Sequence, residues 1–236
     1  MTQSRRVFTR QPFGVLTLLA TIVAVVAGCA STPPQQSAKP RATPGELLAY
    51  SASTGDLALT NKLLDAGVNP DLADDKGLTP LLFAAEGGHS QIVGALLAKG
   101  ANANMAGGKD NATPLMRAAS NAHADVMSRL LRADAKVDAQ DRLGATALMW
   151  AAFKGCHSCA DRLLQAGALV DVRGRTGETA LWLAAANSDA HMVTLLLRAG
   201  ANPALPKLSG STPLQEAKAR KKWDVVNAIE TFTANK

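Results

Sequence analysis

The sequence predicts an all-α fold, a solenoid of about six helix-turn-helix units, preceded by a signal peptide and a disordered, proline-rich tether. The first reason is a threonine that recurs at intervals of 34, 33, 33 and 33 residues, at Thr79, Thr113, Thr146, Thr179 and Thr212. A repeat of this length is the signature of stacked structural units. The second reason is composition, because aromatic residues make up only 4% of a chain that is rich in alanine and leucine. Such a composition favours short, closely packed helices.

Residues 1–28 have the composition of an export signal. Arg5, Arg6 and Arg10 precede an uncharged apolar run over residues 14–28. This run is shorter than the ~20 residues that a transmembrane helix needs. A basic segment followed by a short apolar core is typical of a secretory signal peptide.

The basic segment at residues 4–10 resembles a twin-arginine export signal. It departs from that signal at Thr9, where leucine is usual, and at Arg10, where lysine is usual. Such a signal is an address read by a receptor, and the resemblance implies export of an already folded protein. A basic segment of the general secretion route is the alternative.

The apolar run ends in Val26-Ala27-Gly28-Cys29, which resembles the lipobox of bacterial lipoproteins. The resemblance implies that Cys29 receives a lipid, becomes the new N-terminus and anchors the chain in a membrane. Ala30, in place of aspartate, implies the outer membrane, facing the periplasm, rather than the inner membrane. The alternative is an ordinary signal peptide with a chance cysteine, which would make the protein soluble in the periplasm.

Residues 29–44 form the predicted tether behind the lipid. Residues 30–44 contain four prolines and show no apolar periodicity. We therefore expect an extended, solvated segment that holds the folded part of the chain away from the membrane surface.

Each repeat unit begins with a helix-start signal. In Thr79-Pro80 a hydroxyl cap precedes a proline at the first helical position. Leu81, Ala84 and Ala85 then fall on one face of the first helix, at spacings of three and four residues. The repeat domain is predicted over residues 45–232, in units of about 45–75, 76–108, 109–141, 142–174, 175–207 and 208–232, with a tail at 233–236.

A glycine break and a second helix follow in most units. In the second unit Gly87-Gly88 forms the break, and Gly100 ends the second helix because glycine adopts positive φ without strain. The first unit, in register from Glu46, is degenerate, and the last has the run 218–222 where a glycine is expected. Both end units are therefore predicted to be caps, which an open stack of repeats requires.

The chain resembles the ankyrin repeat family over residues 77–102, which read Gly-x-Thr-Pro-Leu-x-x-Ala-Ala-x-x-Gly-His, then Ile-Val, then Leu-Leu-x-x-Gly-Ala-Asn. Further copies start at Gly144 and Gly177. The resemblance covers nearly all of the predicted exported chain. It implies a scaffold that binds a protein partner without catalysis, and we expect a monomer.

The same resemblance locates the binding surface, since the family binds partners mainly through loop tips and the exposed side of the first helices. Leu143, Thr176 and Glu178 are among these positions. A basic strip with an aromatic anchor also falls there, formed by Arg142, Lys154, Arg173, Arg175 and Phe153, and Lys109 and Asp110 hold such positions in the third unit. Arginine and aromatic residues are enriched in interface hot spots. We expect this strip to contact a partner with an acidic patch, and a solvated loop edge is the alternative.

No catalytic constellation is evident. The four histidines, His89, His123, His157 and His191, are expected to stand a repeat apart without converging. The chain contains no phosphate loop and no Gly-x-Ser-x-Gly motif. The sequence therefore predicts no enzyme activity, no cofactor and no metal site.

Cys156-His157-Ser158-Cys159 departs from the repeat pattern, because cysteines replace the expected histidine and the expected valine or isoleucine. A structural disulfide or packed pair is the first interpretation, since these are the thiols left in an oxidising compartment once Cys29 is lipidated. A redox or sensing role follows from Cys-x-x-Cys at a helix start. Contact with a metal or haem is the third alternative.

The charge of the chain does not favour a nucleic-acid partner. The net charge is +6 and the pI is 9.4, but removal of residues 1–28 leaves 22 basic against 19 acidic residues, or about +3. No block of five or six like charges occurs.

The sequence thus predicts a membrane-anchored periplasmic scaffold for protein binding, with a supporting role in oxidative-stress defence by analogy with the family. An immunity protein that neutralises a toxin is one alternative. A thiol-redox protein that uses Cys156 and Cys159 is the other.

Overall fold

The computed structural model describes residues 42–235. The predictions for the signal peptide, for Cys29 and for most of the tether lie outside the described residues. Within residues 42–235 there are twelve α-helices and, apart from one isolated bridge, no β-structure. The helices are α1 (Pro44–Thr54), α2 (Leu57–Asp65), α3 (Pro80–Glu86), α4 (Ser90–Ala98), α5 (Pro114–Ser120), α6 (Ala124–Arg132), α7 (Ala147–Lys154), α8 (His157–Gln165), α9 (Ala180–Ala186), α10 (Ala190–Arg198), α11 (Pro213–Ala219) and α12 (Trp223–Ala234). None of these described helices is both long and apolar enough to cross a bilayer.

The helices form two layers. Each odd-numbered helix packs on the next odd-numbered helix and on the even-numbered helix that follows it in the chain. The even-numbered helices pack on one another in the same order. Units of two helices therefore stack in one direction, which confirms the predicted all-α solenoid.

The recurring threonines cap the first helix of each unit, as the sequence pattern predicts. The Thr79 hydroxyl oxygen accepts a hydrogen bond of 3.3 Å from the Leu82 amide. Thr113, Thr146, Thr179 and Thr212 make the equivalent bond at α5, α7, α9 and α11. An N-cap side chain of this kind stabilises a helix by about 1 kcal/mol. The repeated threonine is thus explained by local chemistry.

The two ends of the repeat domain differ from the predicted bounds. Thr43 caps α1, because its hydroxyl accepts from the Glu46 amide while a Glu46 oxygen accepts from the Thr43 amide. The domain therefore starts two residues before the predicted residue 45. At the other end α12 continues to Ala234, past the predicted 232, because no glycine or proline interrupts it there.

One apolar core runs through the whole stack. It begins at Leu48, passes through the paired alanines of the first helices, such as Ala84 and Ala85, and ends at Ile229. Alanine lets neighbouring helices approach closely, and leucines of the second helices, such as Leu96, fill the space behind them. Burial of this surface is the main driving force for stacking.

The loops between units form a row of fingers that are joined along their tips. Each joining bond runs from a backbone amide to a carbonyl oxygen of the preceding finger: Gly108 to Lys76 (3.1 Å), Arg142 to Asp110 (2.8 Å), Arg175 to Leu143 (2.8 Å) and Leu208 to Thr176 (2.9 Å). The fingers therefore hold a fixed register beside the first helices, and side chains from two units meet there.

Candidate functional site

A groove of about 420 Å³ lies between the fingers of units 4 and 5 and the helices α7 and α9. We call it the central groove. Its lining is mainly apolar, with Arg175, Thr176 and Glu178 as the polar members. The apolar side chains are those of Leu143, Ala145, Met149, Trp150, Phe153 and Leu183. Concave apolar surfaces with a few polar groups are typical of binding sites.

Helix α7 and the preceding finger position the lining. Phe153 follows Met149 by four residues and Trp150 by three, so its side chain shares a side of α7 with both. The Trp150 indole N–H donates a hydrogen bond of 3.0 Å to a carboxylate oxygen of the buried Asp141. The Phe153 ring stands edge-on to Trp150, with ring centroids 6.1 Å apart. The two aromatic rings therefore form a fixed wall.

Asp141 also shapes the finger of unit 4. Its second carboxylate oxygen accepts from the amides of Leu143 at 2.8 Å and Ala145 at 2.9 Å. In unit 2, Asp74 makes the same two bonds to its own finger. One side chain thus fixes both the finger that presents Leu143 and the ring of Trp150.

Gly174 belongs to the lining of the central groove beside unit 5. It occupies the position that Asp74 and Asp141 hold in units 2 and 4. A Cβ atom at Gly174 would lie 3.1 Å from the Met149 methyl carbon and 3.5 Å from the Leu143 carbonyl oxygen. Because Gly174 has no side chain, the Met149 methyl group lies close to its backbone.

The structure brings only part of the basic strip to the groove. Phe153 and Arg175 line it, and Lys154 lies beside it, with its ammonium nitrogen 5.9 Å from the Phe153 ring centroid. Arg142 is exposed on the tip next to Leu143. Arg173 instead donates a hydrogen bond of 2.6 Å to the Pro206 carbonyl oxygen of the following finger.

A smaller pocket of about 240 Å³ lies on the other side of Trp150. Arg117 is held there by an ion pair of 2.7 Å with Asp110 and lies 4.0 Å from Glu86. Asp110 therefore has a partner within the chain, while Lys109 beside it is exposed. Sequence reasoning missed Arg117, Met149, Trp150 and Leu183. The spacing of Met149 and Trp150 from Phe153 on α7, and the position of Leu183 directly before an alanine doublet on α9, could have indicated the last three.

Cys156 and Cys159 form a disulfide, with Cα atoms 5.2 Å apart. Cys159 is fully buried and Cys156 is 8% exposed. Cys156 is also the N-cap of α8, where its sulfur accepts from the Cys159 amide. In units 2 and 3 this position is His89 or His123, whose ring bonds a carbonyl oxygen of the preceding unit. At this position units 2 and 3 thus have a hydrogen bond to the preceding unit, whereas unit 4 has a disulfide within the unit.

The expectation that the histidines stand apart is wrong for one pair. The rings of His157 and His191 lie 4.5 Å apart, and His157 is 2.8 Å from the Asp189 carboxylate. Both histidines sit at the start of their helices, α8 and α10, which pack side by side. Within residues 42–235 no group of three or more His, Cys, Asp or Glu side chains has an arrangement that could hold a metal ion.

Stacked helix pairs with a side-chain groove beside a row of fingers define a helical repeat scaffold. A family model described as ankyrin repeats (3 copies) matches residues 48–141, 94–174, 127–207 and 148–229. The chain belongs to the ankyrin repeat family. Members of this family are typically non-catalytic modules for protein–protein interaction, and the chain is a protein-interaction scaffold.

Curated relatives support the same family over a shorter stretch. The ankyrin repeat, SAM and basic leucine zipper domain-containing protein 1 of Mus musculus is 40% identical over 60 residues, which are 25% of this chain and 13% of the relative. The protein of the same name from Atelerix albiventris is 38% identical over 61 residues, covering 26% of this chain and 13% of the relative. The chain thus matches only about an eighth of the length of these relatives.

Proposed function

We propose that the chain is a membrane-anchored periplasmic scaffold that binds a protein partner in the central groove and carries out no chemistry of its own. The observation that carries this proposal is an open apolar groove with cationic side chains at its rim. The membrane anchor is supported by the lipobox-like residues that end at Cys29.

The apolar lining supports binding because two of its large side chains are left in water. Leu143 is 58% exposed and Phe153 is 45% exposed, although both lie beside partly buried apolar neighbours. Full burial of such side chains contributes about 1.5–3 kcal/mol each. An aromatic ring in a pocket rimmed by polar groups is also the usual form of an interface hot spot.

The charges at the rim support a partner segment that is acidic and carries a bulky apolar residue. Arg142, Lys154 and Arg175 have no carboxylate within salt-bridge distance among the described residues. Glu178 is the one carboxylate in the lining. Complementary charge of this kind raises the association rate and fixes the register of the partner more than it raises affinity.

A thiol-redox function has less support than scaffolding. The attacking or attacked sulfur of a working redox pair must be reachable by another thiol. Cys159 has no exposed surface and Cys156 is nearly buried. We therefore assign the pair to the stability of unit 4. For the physiological partner, a component of oxidative-stress defence is the first candidate and an imported toxin is the second, both by family analogy.

Site-specific crosslinking tests the proposed groove. A photo-crosslinking residue is placed at Leu143 in intact cells, and a control is placed at Tyr50, which is equally exposed but lies in unit 1. We expect a partner adduct from position 143 and none from position 50. Adducts of equal yield from both positions would remove the groove as the binding site.

The rim charges are tested in the same cells with matched variants. The triple exchange of Arg142, Lys154 and Arg175 for glutamate should abolish the adduct at position 143. The control exchanges Lys62, Arg132 and Lys136 for glutamate, which changes the net charge equally at exposed positions away from the groove. Loss of the adduct in both variants, or in neither, contradicts an electrostatic role of the rim.

A further inference from the structure

The turn between α11 and α12 differs from the corresponding turns of the other units. We call residues 220–223 the C-terminal tip. Lys221 there has a left-handed backbone, with φ at 57°. The same conformation is held by Gly88, Ala122, Gly155 and Ser188 in the preceding units. A lysine thus stands where small residues are found elsewhere, and it is exposed.

The tip combines two free lysines with an exposed aromatic ring. Trp223 is 60% exposed, and Lys221 and Lys222 are exposed beside it. The neighbouring cations are already paired, since Lys218 lies 2.8 Å from Glu230 and Arg220 lies 2.6 Å from Glu216. Neither Lys221 nor Lys222 forms a salt bridge within the described residues, and the nearest carboxylate in sequence, Asp224, is also unpaired there.

Charge is distributed unequally along the solenoid. Residues 45–141 carry 8 basic and 12 acidic side chains, a net charge of −4. Residues 142–235 carry 11 basic and 7 acidic side chains, a net charge of +4. The described repeat domain therefore has no net charge as a whole, but its two halves carry opposite net charges. An anionic surface would attract its C-terminal half and repel its N-terminal half.

The shape of the tip favours a lipid surface over a folded protein partner. A specific protein interface needs roughly 800 Å² on each side, which a turn of a few residues does not offer. A fluid bilayer, by contrast, closes around a single protruding ring. Tryptophan partitions to the membrane–water boundary, and each lysine near an anionic membrane surface raises association by about fivefold.

We propose that the C-terminal tip is a membrane-docking site, in which Lys221 and Lys222 bind anionic lipid headgroups and Trp223 inserts at the boundary between headgroups and acyl chains. The site is independent of the central groove and of a lipid on Cys29.

Vesicle co-sedimentation tests the proposal with residues 29–236 carrying Cys29→Ser, so that neither the export signal nor a lipid is present. The vesicles are phosphatidylcholine alone, or phosphatidylcholine with one quarter phosphatidylglycerol. We expect association with the anionic vesicles only, and a reduction of this association at 0.5 M salt. Exchange of Lys221 and Lys222 for alanine should lower the association constant by about thirtyfold, and Trp223→Ala should lower it further.

The matched control is Lys62→Ala with Lys136→Ala, two exposed lysines of the N-terminal half, which should bind anionic vesicles like the parent. Lys221→Gly suits the positive φ of this position, so it separates loss of charge from loss of fold. The proposal is overturned by equal binding to neutral vesicles, or by tip variants that bind as tightly as the parent. It is also overturned if the tip variants change only the sedimentation of the protein without vesicles, because the tip would then be a contact between copies of the chain.

Discussion

The indole N–H of Trp150 donates a hydrogen bond of 3.0 Å to Asp141, whose other carboxylate oxygen accepts from the amides of Leu143 and Ala145. This carboxylate joins the finger of unit 4 to helix α7. It therefore fixes two walls of the central groove at once. A network of this kind is costly to interrupt, because the groups left behind are partly buried.

Asp141→Ala should lower the free energy of unfolding by about 3 kcal/mol, since three hydrogen bonds to a buried carboxylate are lost. Asp74→Ala is the matched control, because it removes the two finger bonds of unit 2 and no bond to a tryptophan. Chemical denaturation followed by circular dichroism measures both. An equal loss in the two variants would show that the Trp150 bond contributes nothing.

Phe153→Ala and Leu143→Ala should each weaken partner binding by about tenfold, as expected for hot-spot side chains. Stability should change less than binding, because Leu143 is 58% exposed and Phe153 is 45% exposed. Leu169→Ala is the control, an exposed leucine on the turn after α8. Competition against the crosslinked adduct measures the effect, and a similar loss for Leu169→Ala would argue against a specific groove.

Gly174→Asp should close the central groove and leave the fold intact. The new side chain occupies the space beside Met149, and Asp74 and Asp141 show that the finger accepts aspartate at this position. Ser209→Asp adds the same charge to an exposed position in the next finger. We expect loss of the partner adduct only for Gly174→Asp, with unchanged thermal unfolding. Retention of the adduct would show that the partner does not enter the groove.

Reduction of the Cys156–Cys159 disulfide should lower stability by about 2 kcal/mol, the chain-entropy estimate for so short a loop. Because the pair is buried, native-state reduction should be slow. The reduction potential should lie below about −300 mV, as for structural disulfides. Equilibration with defined thiol buffers measures it, and a potential near that of thioredoxin would favour the redox alternative instead.

Much of the fold could be predicted because its determinants are local. The threonine caps, the alanine doublets and the glycine stops each act within one unit, so their spacing reveals the repeat. The cap at Thr43 was missed because it does not follow the repeat spacing. The first helix is longer than the first helices of the other units, so Thr43 lies 36 residues before Thr79. The site was predicted less well. Phe153 and Arg175 reach the groove, whereas Arg173 and Asp110 are held by other groups of the chain.

The sequence by itself therefore determined the repeat family, the order of the helices and the surface on which a binding site is expected. Only the tertiary structure decided which side chains meet across units. His157 meets His191, and Met149 fills the space beside Gly174, because helix stacking brings together residues more than twenty positions apart. Periodicity describes each unit separately, while the central groove is lined by side chains of two units, such as Met149 of unit 4 and Leu183 of unit 5.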